Sequence, residues 1–371
     1  MEYEDFAHRD KQQAPSSNAE YDLKKANIFY AGKFILFAVI CFILYNSGQT
    51  WVGKIIKTFY KDPVEIGISL VARTTFALMA WFLIHSLMMI GNPNLVDSCQ
   101  FMTHISWLSL HTIGFFGLWA ITWYLPDGFF DNYLKIARFI SGFYLLIQII
   151  FLIDLFHQKN EEWVKDDNIG IMSAITIVLT IGFVVVFGLC YHYFTKNCSS
   201  NVWIISANLI ICISIYFSAM LIDHGSIFTA SLVCCYVSYL TSAGLMCEPS
   251  CNSLSNGNNS FGFTILASLF TLIWAGYSAF SASYRFDACN CDEEEGQADE
   301  FSLSFFHFVF ALASVYLSMV VTHWGTKNHS SAWSTDKGTT SKWVNLSASW
   351  VTLLIYSWTL FAPKIFPDRE F

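Results

Sequence analysis

Long apolar runs separated by short polar breaks recur along almost the whole chain. Ten of them reach roughly 20 residues, the length a helix rising 1.5 Å per residue needs to cross a ~30 Å hydrocarbon layer. They lie near 28–47, 65–91, 103–125, 131–158, 170–194, 202–222, 226–246, 260–283, 302–324 and 343–364. The runs are unbroken rather than alternating every second residue, which excludes the strands of a membrane barrel. The pattern predicts an all-α, polytopic integral membrane protein with about ten transmembrane helices, since backbone polar groups in hydrocarbon must be paired inside a helix or a closed barrel. Residues 1–27 are polar and contain no apolar signal core, so they read as a disordered cytosolic N-terminus ahead of a membrane domain at 28–371.

Three segments depart from the plain pattern. From Asp131 to Val164 there is no Pro, and 34 residues of helix would extend roughly 50 Å, well beyond the hydrocarbon thickness. Either the helix tilts, or its polar end at Gln158–Glu162 projects from the membrane. Between Trp51 and Lys61, Val52, Ile55, Ile56 and Phe59 share one helical face and Lys54, Lys57 and Lys61 the other. That suits a helix lying among headgroups, or a loop helix packed on the bundle. The loop 284–302 carries seven acidic residues against Arg285 alone and accounts for most of the formal net charge of −8. Such a run stays solvated; it serves as a cytosolic docking segment for trafficking adaptors, or only keeps the loop soluble.

Composition agrees with the class: 54% of the residues are hydrophobic and 13% charged, against about 25% charged in soluble domains. It excludes a nucleic-acid binder, and no nucleotide loop, nucleophile elbow, metalloprotease helix or dinucleotide fingerprint is present. No catalytic residue, metal site or cofactor is expected, and the chain is read as not an enzyme. Chemistry would reside in polar groups at membrane depth, which are costly there and functional by default. Arg73, His111, Asp154 and Asn208 are the candidates for a polar path, and an Arg73–Asp154 pair would spare both charges from isolation. His85, His104, His224 and His307 lie near span ends, at depths that do not pair as the axial ligands of a di-haem carrier would.

Among eleven cysteines, Cys198, Cys247 and Cys251 share one membrane face, and a bond between two of them, Cys247–Cys251 being the candidate, suits an oxidising compartment. The sequons at Asn197, Asn258 and Asn328 fall on that same face and favour cytosolic termini in an endomembrane or plasma membrane. A fourth, at Asn345, sits too close to a span to be reached.

The carboxyl-terminal third carries a specific series of motifs. After Asp292–Glu295 come Phe305-Phe306-His307-Phe308, Thr340-Ser341-Lys342-Trp343, Ser347-Ala348-Ser349-Trp350, Tyr356-Ser357-Trp358-Thr359-Leu360 and Ala362-Pro363, with Asp368-Arg369-Glu370-Phe371 last. Upstream stand Ala72-Arg73-Thr74-Thr75, Leu125-Pro126-Asp127-Gly128, Leu152-Ile153-Asp154-Leu155-Phe156-His157 and Ser206-Ala207-Asn208-Leu209. Over about residues 28–371 the chain resembles the serine incorporator (Serinc) family of membrane proteins. It departs from the family in its polar leader and in His111, where relatives often carry Lys.

The resemblance implies two helical bundles linked by the long fourth helix, bound phospholipid, and non-ATP-driven lipid scrambling tied to phosphatidylserine and sphingolipid homeostasis. It equally admits a non-catalytic accessory that promotes serine incorporation beside lipid-biosynthetic enzymes, or a trafficking scaffold. Membrane phospholipids are the expected partners, and a homo-oligomer is left open.

Overall fold

The computed structural model of the chain describes residues 17–51, 63–90, 108–196, 198–222, 225–248, 251–253, 302–322, 324 and 336–365. Among these the chain is almost wholly helical and holds no strand. Nine α-helices follow one another: α1 Ser17–Trp51, α2 Pro63–Met88, α3 Leu108–Ile121 with a 3-10 turn Thr122–Tyr124, α4 Asp127–Lys165, α5 Ile169–Phe194, α6 Ser199–Leu221, α7 Ile227–Met246, α8 Ser302–Val321 and α9 Asp336–Ile365. Each falls on one of the ten predicted spans. The remaining span, 260–283, lies outside the described residues, as do residues 52–61 of the amphipathic segment and the acidic loop up to Ser302.

Eight of these helices are long and apolar enough to cross a membrane. Burial departs from that of a water-soluble protein at both the inner and the outer faces. Asn208, Thr241, Ser314 and Ser349 are fully buried, whereas Phe139, Ile177, Val178, Ile210 and Leu354 stand exposed. Lipid tails are as apolar as leucine, so interfaces between membrane helices collect hydroxyls, amides and small residues instead. Gly67 is such a residue. A Cβ there would come within 2.7 Å of the Tyr45 carbonyl oxygen, so its absence lets α2 lie directly on α1.

The described helices belong to two compact units, Met1–Tyr133 with Leu272–Leu317, and Leu134–Thr271 with Ser318–Phe371. The first holds α1, α2, α3, the opening turns of α4 and most of α8. In the second, α7 packs against α5, α6 and α9.

Helix α4 runs for 39 residues, roughly 58 Å, and passes from the first unit into the second. Pro126 and Asp127 set its start, where an acidic side chain complements the helix dipole. Its end is equally determined. Asp167 adopts φ 54°, and the Asn168 amide reaches back to the Trp163 carbonyl at 3.0 Å while the Asp167 amide meets Val164 at 3.3 Å. This left-handed closure satisfies the last carbonyls in the way glycine usually does.

Helix α1 starts at Ser17 rather than near residue 28, so residues 17–27, expected to be disordered, are helical. Ala, Glu, Leu and Lys in this stretch favour helix, and Ala26 and Asn27 are already buried.

Candidate functional site

Helices of the first unit alternate in direction, so the end of α2 meets the beginnings of α3 and α8. There the side chains of Tyr30, Lys33, Trp81, His85, His111 and His307 gather, all but Trp81 buried to nine-tenths or more. His85 Nδ1 lies 2.8 Å from the Trp81 carbonyl oxygen. A carbonyl can only accept, so Nδ1 carries the proton and, in the neutral ring, Nε2 is left as acceptor. His111 Nδ1 sits 2.6 Å from that Nε2 and therefore donates to it. Lys33 of α1 donates to the main-chain carbonyl of His111 at 3.3 Å. Its ammonium lies 5.5 Å from the Trp81 ring centroid and 5.0 Å from that of Phe115, a cation–π arrangement. Tyr30 closes the group, edge-on to His307 at 4.9 Å between centroids.

The Trp81 ring reaches this place because α3 carries Gly114 opposite it, where a Cβ would collide with the far edge of the indole. His85 and His307 come to one level with His111 because a residue late in one span faces a residue early in the next. The expectation that these depths fail to match is corrected. The two facing nitrogens of His85 and His111 share a proton at 2.6 Å.

The other end of the same unit holds Arg73. Its guanidinium donates to Asp127 Oδ1 at 2.7 Å, to the Leu125 carbonyl at 3.3 Å and to the Thr122 carbonyl. It also lies over Phe130 at 4.5 Å and Trp123 at 5.3 Å. Arg73 thus serves the turn between α3 and α4, where the Thr122 carbonyl also accepts the Leu125 amide at 3.3 Å. The expected partner was Asp154, and this is corrected. Asp127 takes the guanidinium, and Asp154 belongs to the second unit, where its carboxylate accepts from Gln158 at 3.2 Å.

Asn208 is the hub of the second unit. Its amide nitrogen donates to Thr241 Oγ1 at 2.8 Å and Ser349 Oγ at 3.3 Å, and its oxygen accepts from Trp350 Nε1 at 3.0 Å. One side chain thereby joins α6, α7 and α9. A second knot lies at one end of these helices. Lys342 Nζ donates to Asn201 Oδ1 at 2.9 Å and pairs with the Glu248 carboxylate.

Beside this knot, Cys198 is bonded to Cys251 across a sequence separation of 53. The Cys247–Cys251 pairing is therefore corrected. Cys247 is a free thiol turned to Ala243 O at 3.2 Å and Ser341 Oγ at 3.3 Å. A shared membrane face did not decide between the three cysteines; the chain reversal after α7 brings Cys251 to the start of α6.

Of the four path candidates, Arg73 and His111 lie in the first unit and Asp154 and Asn208 in the second. Sequence reasoning passed over Lys33, Trp81, Lys342 and Glu248. The signal for Lys33 was present, a lysine inside an apolar run, which is a candidate for the same reason as Arg73. The sequons at Asn197, Asn258 and Asn328 lie outside the described residues, as do His104 and His224. Asn345 falls within α9, its amide bonded to Ser341 O at 2.9 Å.

An all-helical, polytopic integral membrane protein with polar groups turned inward is thus the class that fold and site define. Within that class the chain belongs to the family described as Serine incorporator (Serinc), whose profile matches residues 15–295 and 287–369. It is 25% identical to serine incorporator 3 of Bos taurus, over 93% of this chain and 92% of that protein. It is 26% identical to a probable serine incorporator of Nematostella vectensis, over 82% and 81% of the two chains. Serine incorporator 5 of Mus musculus is 22% identical, again over 82% and 81%.

Proposed function

We propose that this protein binds phospholipids and lets their headgroups pass between leaflets without ATP. The observation that carries the reading is the pair of buried cationic nodes on α2. Arg73 and His85, the latter with Lys33 and His111, are twelve positions apart on this one helix, or about 18 Å. A phosphate crossing hydrocarbon needs such intermediate partners, because an unpaired charge there is costly. Neither node contains a nucleotide motif, so movement through them is downhill. Asn208, its capacity spent on three partners, acts in packing.

The test is a dithionite-quench assay on liposomes holding the full chain and a fluorescent-headgroup lipid. Scrambling carries the signal beyond loss of the outer-leaflet half. Lys33→Met and Arg73→Met slow it, and Asn208→Leu leaves its rate unchanged. Signal loss that stops at about half, with the protein shown folded and inserted, overturns the transport reading. The second reading, an accessory to serine incorporation, rests on the relatives' names and would then lead; a scaffold acting through the acidic loop would follow.

A further inference from the structure

Lys33 has protons to spare. Its ammonium has three protons, and one is given to the His111 carbonyl. The indole N–H of Trp81, whose ring lies against the ammonium, is buried without an acceptor. The two histidines use one proton on each other and one on the Trp81 carbonyl, and as a neutral pair they supply no negative charge. Tyr30, from α1, and His307, from α8, face the group as rings rather than carboxylates. Among the described residues no acidic side chain pairs with Lys33. The faces of Trp81 and Phe115 attract an ammonium without cancelling its charge. A buried charge calls for a counter-charge.

We infer that this node is an oxyanion site, in which Lys33 Nζ and Trp81 Nε1 donate to a phosphate-class group. Phosphate fits better than a carboxylate side chain or a metal. It presents several acceptor oxygens to donors arriving from different helices, and His85 and His111 are engaged with one another rather than open to a cation. The group comes from a lipid headgroup or from free phosphate; the chemistry is the same. Lys33 and Trp81 act as binding residues, and the His85–His111 pair positions them by fixing the Trp81 and His111 carbonyls. The site deepens the transport reading, in which it is one stopping point for a headgroup, yet binding is measured apart from transport.

The experiment is thermal unfolding of the purified full chain in phosphate-free detergent solution. It is titrated in one arm with inorganic phosphate and in the other with a short-chain phosphatidylglycerol. The expected result is saturable stabilisation of the wild type. Lys33→Met weakens the apparent affinity roughly tenfold or more, Lys33→Arg keeps it within about threefold, and Trp81→Phe, which keeps the ring and removes the N–H, costs roughly threefold.

Stabilisation by phosphate itself assigns the free anion as a ligand; stabilisation by the lipid alone assigns the headgroup. Absence of saturable stabilisation in both arms, or titrations of Lys33→Met and Trp81→Phe that match the wild type, overturns the site. Should Lys33→Met fail to fold, an unchanged affinity in Trp81→Phe is sufficient to overturn it. Binding without scrambling sinks the transport reading alone, and scrambling without Lys33-dependent binding sinks only the site.

Discussion

His85 of α2 and His111 of α3 are joined ring to ring at 2.6 Å, with the Trp81 carbonyl fixing which nitrogen of His85 accepts. The bond matters because each ring is buried and has no water to fall back on. Replacing either histidine by phenylalanine strands one nitrogen of the other, at a cost of about 1–3 kcal/mol. Replacing both removes the mismatch, so the double variant should lose less than the sum of the singles, with a coupling of about 1 kcal/mol. Reversible unfolding in detergent measures it, and strict additivity would mean the rings do not depend on one another.

Arg73 and Asp127 form an asymmetric pair, with side chains 7% and 46% exposed respectively. Removing the arginine also abandons the carbonyls of Thr122 and Leu125, so Arg73→Met should cost about 2–4 kcal/mol. Asp127→Asn keeps an acceptor at a half-wet position and should cost about 1 kcal/mol or less. Equal losses in the two variants would show that the pair, rather than the capping of the turn, carries the stability.

Hydropathy alone located all nine of the predicted spans that can be compared, and it captured the unusual length of α4, because crossing a bilayer constrains run length directly. What it could not supply is which helix lies against which. Arg73 was matched to Asp154 by charge and cost, yet the carboxylate used is that of Asp127, 54 residues along the chain at the start of α4. The Pro126-Asp127-Gly128 motif marked that turn without indicating that the acid meets Arg73. The His85–His111 contact was hidden for the same reason. Depth counted from span ends says nothing until neighbouring helices are set antiparallel. Lys33 was legible and overlooked. The pairing of Cys198 with Cys251 required knowing that the ends of α6 and α7 meet.

Asn208 makes a sharper case for packing over passage. Its three partners come from α7 and α9, and it is fully buried. Hydrogen bonds between membrane helices contribute about 0.6 kcal/mol each on average. Asn208→Leu should therefore lower stability by about 1–2 kcal/mol, with Ser349→Ala adding little to it in a double variant. A variant of wild-type stability that stops scrambling would reverse the assignment and return Asn208 to the path.

The Cys198–Cys251 bond and the Lys342 knot act on the same helix ends. The Cys251 amide donates to the Glu248 carbonyl at 3.3 Å, and the Glu248 side chain holds Lys342. Cys198→Ala and Cys251→Ala should each cost about 2–4 kcal/mol, and the double variant no more than either one. Cys247→Ala should cost under about 1 kcal/mol, because a thiol is a weak donor to Ala243 O and Ser341 Oγ. Peptide mapping without reduction should recover the 198–251 link, with Cys247 alkylated after denaturation. A recovered 247–251 link would displace the pairing. Because the bond anchors the residue that anchors Lys342, Lys342→Met should cost less in a Cys251→Ala background than in the wild type. The difference should be about 0.5–1 kcal/mol, and equal costs in the two backgrounds would separate the disulfide from the ion pair.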